Sequence, residues 1–162
     1  MMKFHHMCIM VSDIDAALAL WVDTMGFKVV DRRVTPDGVM VDQATMDDIV
    51  KVEGAKFEFT LVMSDDGAML EINRSIVPRM ETSPHGAIDY SKTGIRELGL
   101  EVTDIDGWFD KIRTAGYRTQ TDYVWNAGVF GRTFLFHDQD HNLIQLFERS
   151  ADVQLEDQLT AG

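Results

Sequence analysis

The chain repeats itself, and the repeat limits its fold more than any single residue does. Residues 4–15, FHHMCIMVSDID, return 91 residues later as IRELGLEVTDID. At that offset His6 meets Glu97, Val11 meets Val102, and Asp13, Ile14 and Asp15 meet Asp104, Ile105 and Asp106. No gap is needed. A period of about half of the 162 residues marks one duplicated domain, where a solenoid would show several shorter repeats.

A second correspondence lies at the end of each half. MLEI at 69–72 matches LIQL at 143–146, so Glu71 meets Gln145, and Asp66 meets Asp140 at the same offset. Between these landmarks the two halves run in the same order. In the first, an apolar strand over 4–11 leads to a helix start at Ser12 and Asp15, a Ser/Thr-x-x-acid cap. Ile14, Ala17, Leu18, Trp21, Val22 and Met25 recur at helical spacing and Gly26 stops the run. Strands are predicted at 27–34, 57–63 and 68–73, the last two joined at Asp66 and Gly67. Residues 35–55 read as a long loop with a short helix near 45–50.

The second half predicts a strand at 95–102, a cap at Thr103 and Asp106, and a helix with Ile105, Trp108, Phe109 and Ile112 inward. A strand near 117–125 follows, and two more pair across 139–142. Each half is therefore βαβββ, an α+β pattern. Residues 4–75 and 95–149 are the halves of one domain over 1–150. A linker spans 76–94, and 151–162 form a polar tail.

Strand alternation sorts the side chains of these segments into faces. His6, Cys8 and Met10 share one face, and Met7, Ile9 and Val11 the other. Glu97, Gly99 and Glu101 fall together, as do Met69, Glu71 and Asn73, and Leu143, Gln145 and Phe147. His5 has the opposite parity to His6 and reads as structural. His85, His137 and His141 read as loop or strand-edge residues. Tyr123, Trp125 and Phe130 are candidates for touching a ligand, and Arg74, Arg79, Lys92 and Arg96 for receiving an anion.

Charge narrows the partners. Fifteen Lys and Arg against 27 Asp and Glu give a formal net charge of −12, a field that repels phosphate backbones and anionic bilayers. Nucleic acid and membrane are thereby disfavoured. The single Cys8 forms no internal disulfide, and MMKFHHM is no apolar leader, so a cytoplasmic location is expected.

HMCIMVSDID, MLEI, IRELGLEVTDID and FLFHDQDHNLIQLFE together resemble the vicinal oxygen chelate superfamily, which holds glyoxalases, bleomycin-resistance proteins and extradiol dioxygenases. The resemblance covers residues 4 to about 149. The last stretch is similar to the family's F-x-D-P-D-G-N-x-I-E-L ending, with Gln139 in place of Pro and His141 in place of Gly. These departures point to a different hairpin geometry on the same fold.

The resemblance implies a glyoxalase-like fold in which two βαβββ repeats form an open half-barrel cleft, with a metal ion where four strands converge. It implies His6, Glu71, Glu97 and Gln145 as ligands, although the family usually has His at the position of Glu97 and Glu at that of Gln145. It also implies a small-molecule substrate or ligand and a homodimer.

One imidazole, two carboxylates and one amide suit a divalent ion such as Mg, Mn, Co, Ni or Zn. Iron ranks below these, because non-haem iron oxygenases use two His and one carboxylate. The chemistry expected is that of a glyoxalase-like lyase or isomerase, which enolises a small carbonyl compound or thioester. Glu71 and Glu97 are the candidate catalytic bases, with Glu101 an outer alternative. The alternatives are a metal-free binding protein of bleomycin-resistance type and an extradiol-type dioxygenase.

Overall fold

The structure, a computed structural model, describes residues 2–82, 90–91 and 93–151. Most of the expected linker core (83–89 and 92, with His85 and Lys92) and the tail from 152 lie outside the described residues. The chain divides into two compact units at residues 83 and 84.

The first unit runs β1 (Met7–Met10), α1 (Ile14–Leu18), β2 (Lys28–Thr35), α2 (Gln43–Val50), β3 (Lys56–Met63) and β4 (Met69–Val77). Its four strands form an open sheet in the order β1-β4-β3-β2. β1 and β4 pair in parallel, with Cys8 opposite Glu71 and Met10 opposite Asn73. The other neighbours are antiparallel, and β3 and β4 are joined by the predicted turn at Gly67, whose φ of 91° suits a residue without Cβ.

One face of this sheet is closed by the first helix. Leu70, Ile72 and Val62 are at most 3% exposed, as are Val11, Ile14, Ala17, Leu20 and Trp21. The Trp21 ring meets Phe27 edge to face at 5.4 Å. The helix departs from simple α periodicity: after Leu18 it continues as a π-helical stretch, Ala19–Thr24. The wider turn carries Leu20 and Thr24 into the core and leaves Val22 and Met25 only half-buried, which the 3.6-residue period did not anticipate.

The second unit repeats the plan with β5 (Glu97–Glu101), α3 (Ile105–Thr114), β6 (Arg118–Thr119), β7 (Trp125–Asn126), β8 (Gly131–His137) and β9 (Leu143–Arg149). β5 and β9 are parallel, the order is β5-β9-β8-β6, and β7 also pairs with β8. Ile105, Phe109 and Ile112 of α3 are buried with Phe134, Phe136, Ile144 and Leu146. Phe109 and Phe134 meet edge to face at 5.1 Å. Trp108, expected inward, is half-buried under the Lys111 ammonium at 4.4 Å. The strand expected near 117–125 is instead two short pieces, β6 and β7.

Both helix caps sit one residue later than expected. Asp13, not Ser12, accepts the Ala16 N–H at 3.0 Å, and Asp104, not Thr103, accepts that of Gly107 at 3.2 Å. At the β8–β9 turn His141 adopts a left-handed φ of 66°, the backbone that Gly favours.

No helix among the described residues is long and apolar enough to cross a membrane. The capping assignment predicts that Asp13→Ala lowers unfolding free energy by about 1 kcal/mol in urea titrations. Ser12→Ala should cost clearly less; the reverse order would restore the cap to Ser12.

Candidate functional site

In the first unit the parallel register of β1 and β4 brings two predicted residues together. His6 lies just before β1, and its Nε2 is 3.3 Å from Glu71 Oε2. Both side chains are partly open, at 38% and 23% exposure, so the pair is reachable from solvent. On its other nitrogen, His6 Nδ1 is 2.7 Å from His5 Nδ1. One ring must donate and the other accept there, which turns His6 Nε2 toward the carboxylate. His5, expected to be structural, thus orients its neighbour.

Asn73 lies two residues beyond Glu71 on the same face of β4. Its Nδ2 donates to Glu71 Oε1 at 2.6 Å and reaches Cys8 Sγ at 3.5 Å. Asn73 Oδ1 is buried and accepts no hydrogen bond. Desolvation of its sulfur, the Glu71 charge and a hydrogen bond to Glu71 push the thiol of the exposed Cys8 up to about 11, so it stays protonated at neutral pH. It is a poor metal ligand and a poor nucleophile in that form.

Glu71 and Asn73 also form the polar edge of a cavity of about 440 Å³ contained in the first unit. Strand β3 supplies Phe57 and Phe59 to it, and α2 supplies Met46, Ile49 and Val50. The loop over residues 35–55, without a clean period in the sequence, thus supplies much of the cavity wall. It is held at both ends. Asp42 caps α2 by accepting the Thr45 N–H at 2.8 Å, and Asp47 accepts the Ala55 N–H at 2.9 Å. Ahead of α2, Asp37 accepts from the N–H groups of Val39 at 3.0 Å and Met40 at 2.9 Å. It also pairs with Arg33 at 2.8 Å.

The second unit is described by itself. Glu97 stands half-buried at the start of β5, where its carboxylate accepts from the Tyr90 hydroxyl at 2.5 Å. Partial burial, that hydrogen bond and the Glu97 charge push Tyr90 up to about 12. Gln145 faces Gly99 across the β5–β9 ladder and Leu135 across β8–β9. Glu101, the outer alternative base, is engaged in a two-point ion pair with Arg149 at 3.1 and 2.5 Å.

Two of the anion candidates are also occupied. Arg74 pairs with Glu58, and Arg96 donates to the Thr93 carbonyl. Tyr123 and Phe130 are 59% and 45% exposed.

A donor pair 3.3 Å apart fits two adjacent positions on one divalent ion. Ligands bound at about 2.1 Å sit about 3.0 to 3.4 Å from each other in octahedral and tetrahedral shells. Within neither unit do the described residues bring three or more His, Cys, Asp or Glu together around one point. The first unit brings His6 and Glu71 into contact, whereas in the second Glu97 stands opposite Leu143 and Gln145 opposite Gly99. Asn73 and the α2 wall were missed because neither is marked by residue type; only the shared parity of Glu71 and Asn73 pointed to the first.

The chain belongs to the glyoxalase/bleomycin resistance protein/dioxygenase superfamily, whose model matches residues 3–146. No curated protein sequence matches it. Solved structures do. A glyoxalase family protein from Bacillus cereus superposes with a TM-score of 0.77 at 17% identity, over 92% of this chain and 95% of that one. The fosfomycin resistance protein FosX from Listeria monocytogenes, in complex with Mn(II), gives 0.57 at 14% identity over 93% and 94%. TnmS3, an antibiotic binding protein from Streptomyces, gives 0.59 at 18% over 92% and 98%. At these identities the likeness establishes the fold.

The Asp37 contacts make a titration prediction. The backbone N–H of Met40, the Arg33 guanidinium and the N–H of Val39 hold its carboxyl down to about 2, from an ordinary 3.8. Because the folded value is depressed, the loop contact is fully present above pH 3.8 and is lost as pH falls through about 2. Carboxyl and amide NMR resonances of Asp37, Val39 and Met40 should shift together near pH 2; a common midpoint at 3.8 would contradict the contact.

Proposed function

We propose that the chain is a small-molecule enzyme of its superfamily, a metal-dependent lyase or isomerase that moves a proton next to a carbonyl. The observation that carries this reading is that Glu71 does two things at once: it pairs with His6 at 3.3 Å and lines the apolar cavity. His6 and Glu71 are the first unit's candidate ligands for a divalent ion, and Glu97 and Gln145 the second's.

Imidazole nitrogen and carboxylate oxygen suit Mg, Mn, Co, Ni or Zn. When bound, such an ion polarises the carbonyl and takes up the charge of the enediolate. The protein's own groups do the rest. Asn73 holds Oε1 of Glu71 and so aims Oε2. The carboxylate takes the proton from the carbon beside the carbonyl and returns it, as a general base must, with Glu97 the second candidate for this role. The walls formed by α2 and β3 exclude water from the reacting carbon.

A second reading, metal-free sequestration of a small molecule, is favoured by one specific feature. The Glu97 carboxylate already accepts the Tyr90 hydroxyl. Calorimetry with Mn(II) and Zn(II) on EDTA-stripped protein separates the two. Metal-dependent chemistry predicts one site per chain, weakened more than about 100-fold in His6→Ala and in Glu71→Ala. It also predicts stabilisation of about 2.7 kcal/mol at a hundredfold excess over Kd. Loss of affinity in Glu97→Gln or Gln145→Ala assigns those residues to the shell, and unchanged affinity removes them from it. No metal binding in the parent protein leaves sequestration.

A further inference from the structure

The charged edge of the cavity is the Glu71 carboxylate with Asn73 beside it, and Thr35 and Thr45 are the other polar residues of its lining. Glu71 contributes a carboxylate that Asn73 Nδ2 and His6 Nε2 flank, while Asn73 Oδ1 is buried without a partner behind that edge. Asn73 cannot simply be turned round, since its oxygen would then face the carboxylate. Among the described residues no Lys or Arg lines the cavity, and Glu71 is the one charged residue of its lining.

Apart from Thr35 and Thr45 the rest of the lining is apolar: Met40, Met46, Val50 and the two Phe of β3 among others. A volume of about 440 Å³ falls in the range of small-molecule pockets. In such surroundings a carboxylate, phosphate or phosphonate would be both desolvated and repelled.

We infer that the cavity takes an uncharged molecule with an apolar body and a hydrogen-bond donor, a hydroxyl or amide N–H, beside its carbonyl, and that it rejects anions. This rests on the cavity being the substrate pocket of the proposed function. It narrows the substrate from any small carbonyl compound or thioester to neutral hydroxy-carbonyl or amide-like compounds. The donor satisfies the Glu71 carboxylate, while the apolar body covers Phe57, Phe59 and the inner side of α2.

A matched pair of probes tests it: 3-phenylpropanamide and 3-phenylpropanoate differ only in NH₂ against O⁻. Binding is measured by calorimetry or ligand-detected NMR in EDTA at pH 7, so that no metal contributes. The amide is expected to bind and the carboxylate to bind at least about tenfold more weakly, a difference of about 1.4 kcal/mol. Glu71→Gln should narrow that gap by admitting the carboxylate. Val50→Trp should abolish amide binding by filling the cavity while circular dichroism stays native.

Equal or tighter binding of the carboxylate overturns the inference. So does a gap unchanged in Glu71→Gln, or amide binding unaffected in Val50→Trp. Because the metal titration is separate, the two readings fail separately. Absent metal binding with a preserved amide preference sinks only the metal reading, and bound metal with no preference sinks only the substrate class.

Discussion

Parallel pairing of β1 with β4 is the constraint on which the first unit's chemistry depends. It sets Cys8 beside Glu71 and Met10 beside Asn73, and in doing so it carries His6, one step before the strand, to the Glu71 carboxylate. The same register turns Leu70 and Ile72 onto the helix, where they are at most 3% exposed. A slip of one residue would exchange the faces, putting Glu71 into the core and Ile72 into the cavity. Burial of the helix face therefore specifies the position of the site. The second unit uses the same device, with β5 parallel to β9 and Gln145 opposite Gly99.

Charge completes that arrangement by where the cations are spent. Arg33 is held by Asp31 and Asp37, Arg74 by Glu58, Arg132 by Asp106 and Arg149 by Glu101. Exposed pairs of this kind add little to stability, commonly under about 1 kcal/mol each. Their effect here is on what remains: among the described residues no Lys or Arg lines the cavity beside Glu71. In a chain of net charge −12, that edge is left to a metal ion or to neutral donors.

Much of this was legible in the sequence because the repeat and the strand parity are both strict. The repeat aligned His6 with Glu97 and Glu71 with Gln145, and parity separated His6 from His5. The superfamily followed from the same stretches. What escaped depends on backbone detail that periodicity averages away. The π-helical stretch after Leu18 exchanged Leu20 for Val22 in the core, and both caps moved one residue, to Asp13 and Asp104. The segment ahead of β3 lacked a clean period because α2 faces a cavity and not a packed core. Asn73 carried no signal beyond its face, and its role emerges only from the 2.6 Å contact with Glu71.

The central claim is that His6 and Glu71 form the metal-binding edge of a small-molecule pocket. Anomalous diffraction from crystals grown with Mn(II) addresses it most directly. The account predicts a manganese peak within bonding distance, about 2 to 2.5 Å, of both His6 Nε2 and a Glu71 carboxylate oxygen. A fully loaded crystal whose manganese lies elsewhere, with the His6–Glu71 contact still direct at 3.3 Å, would contradict it.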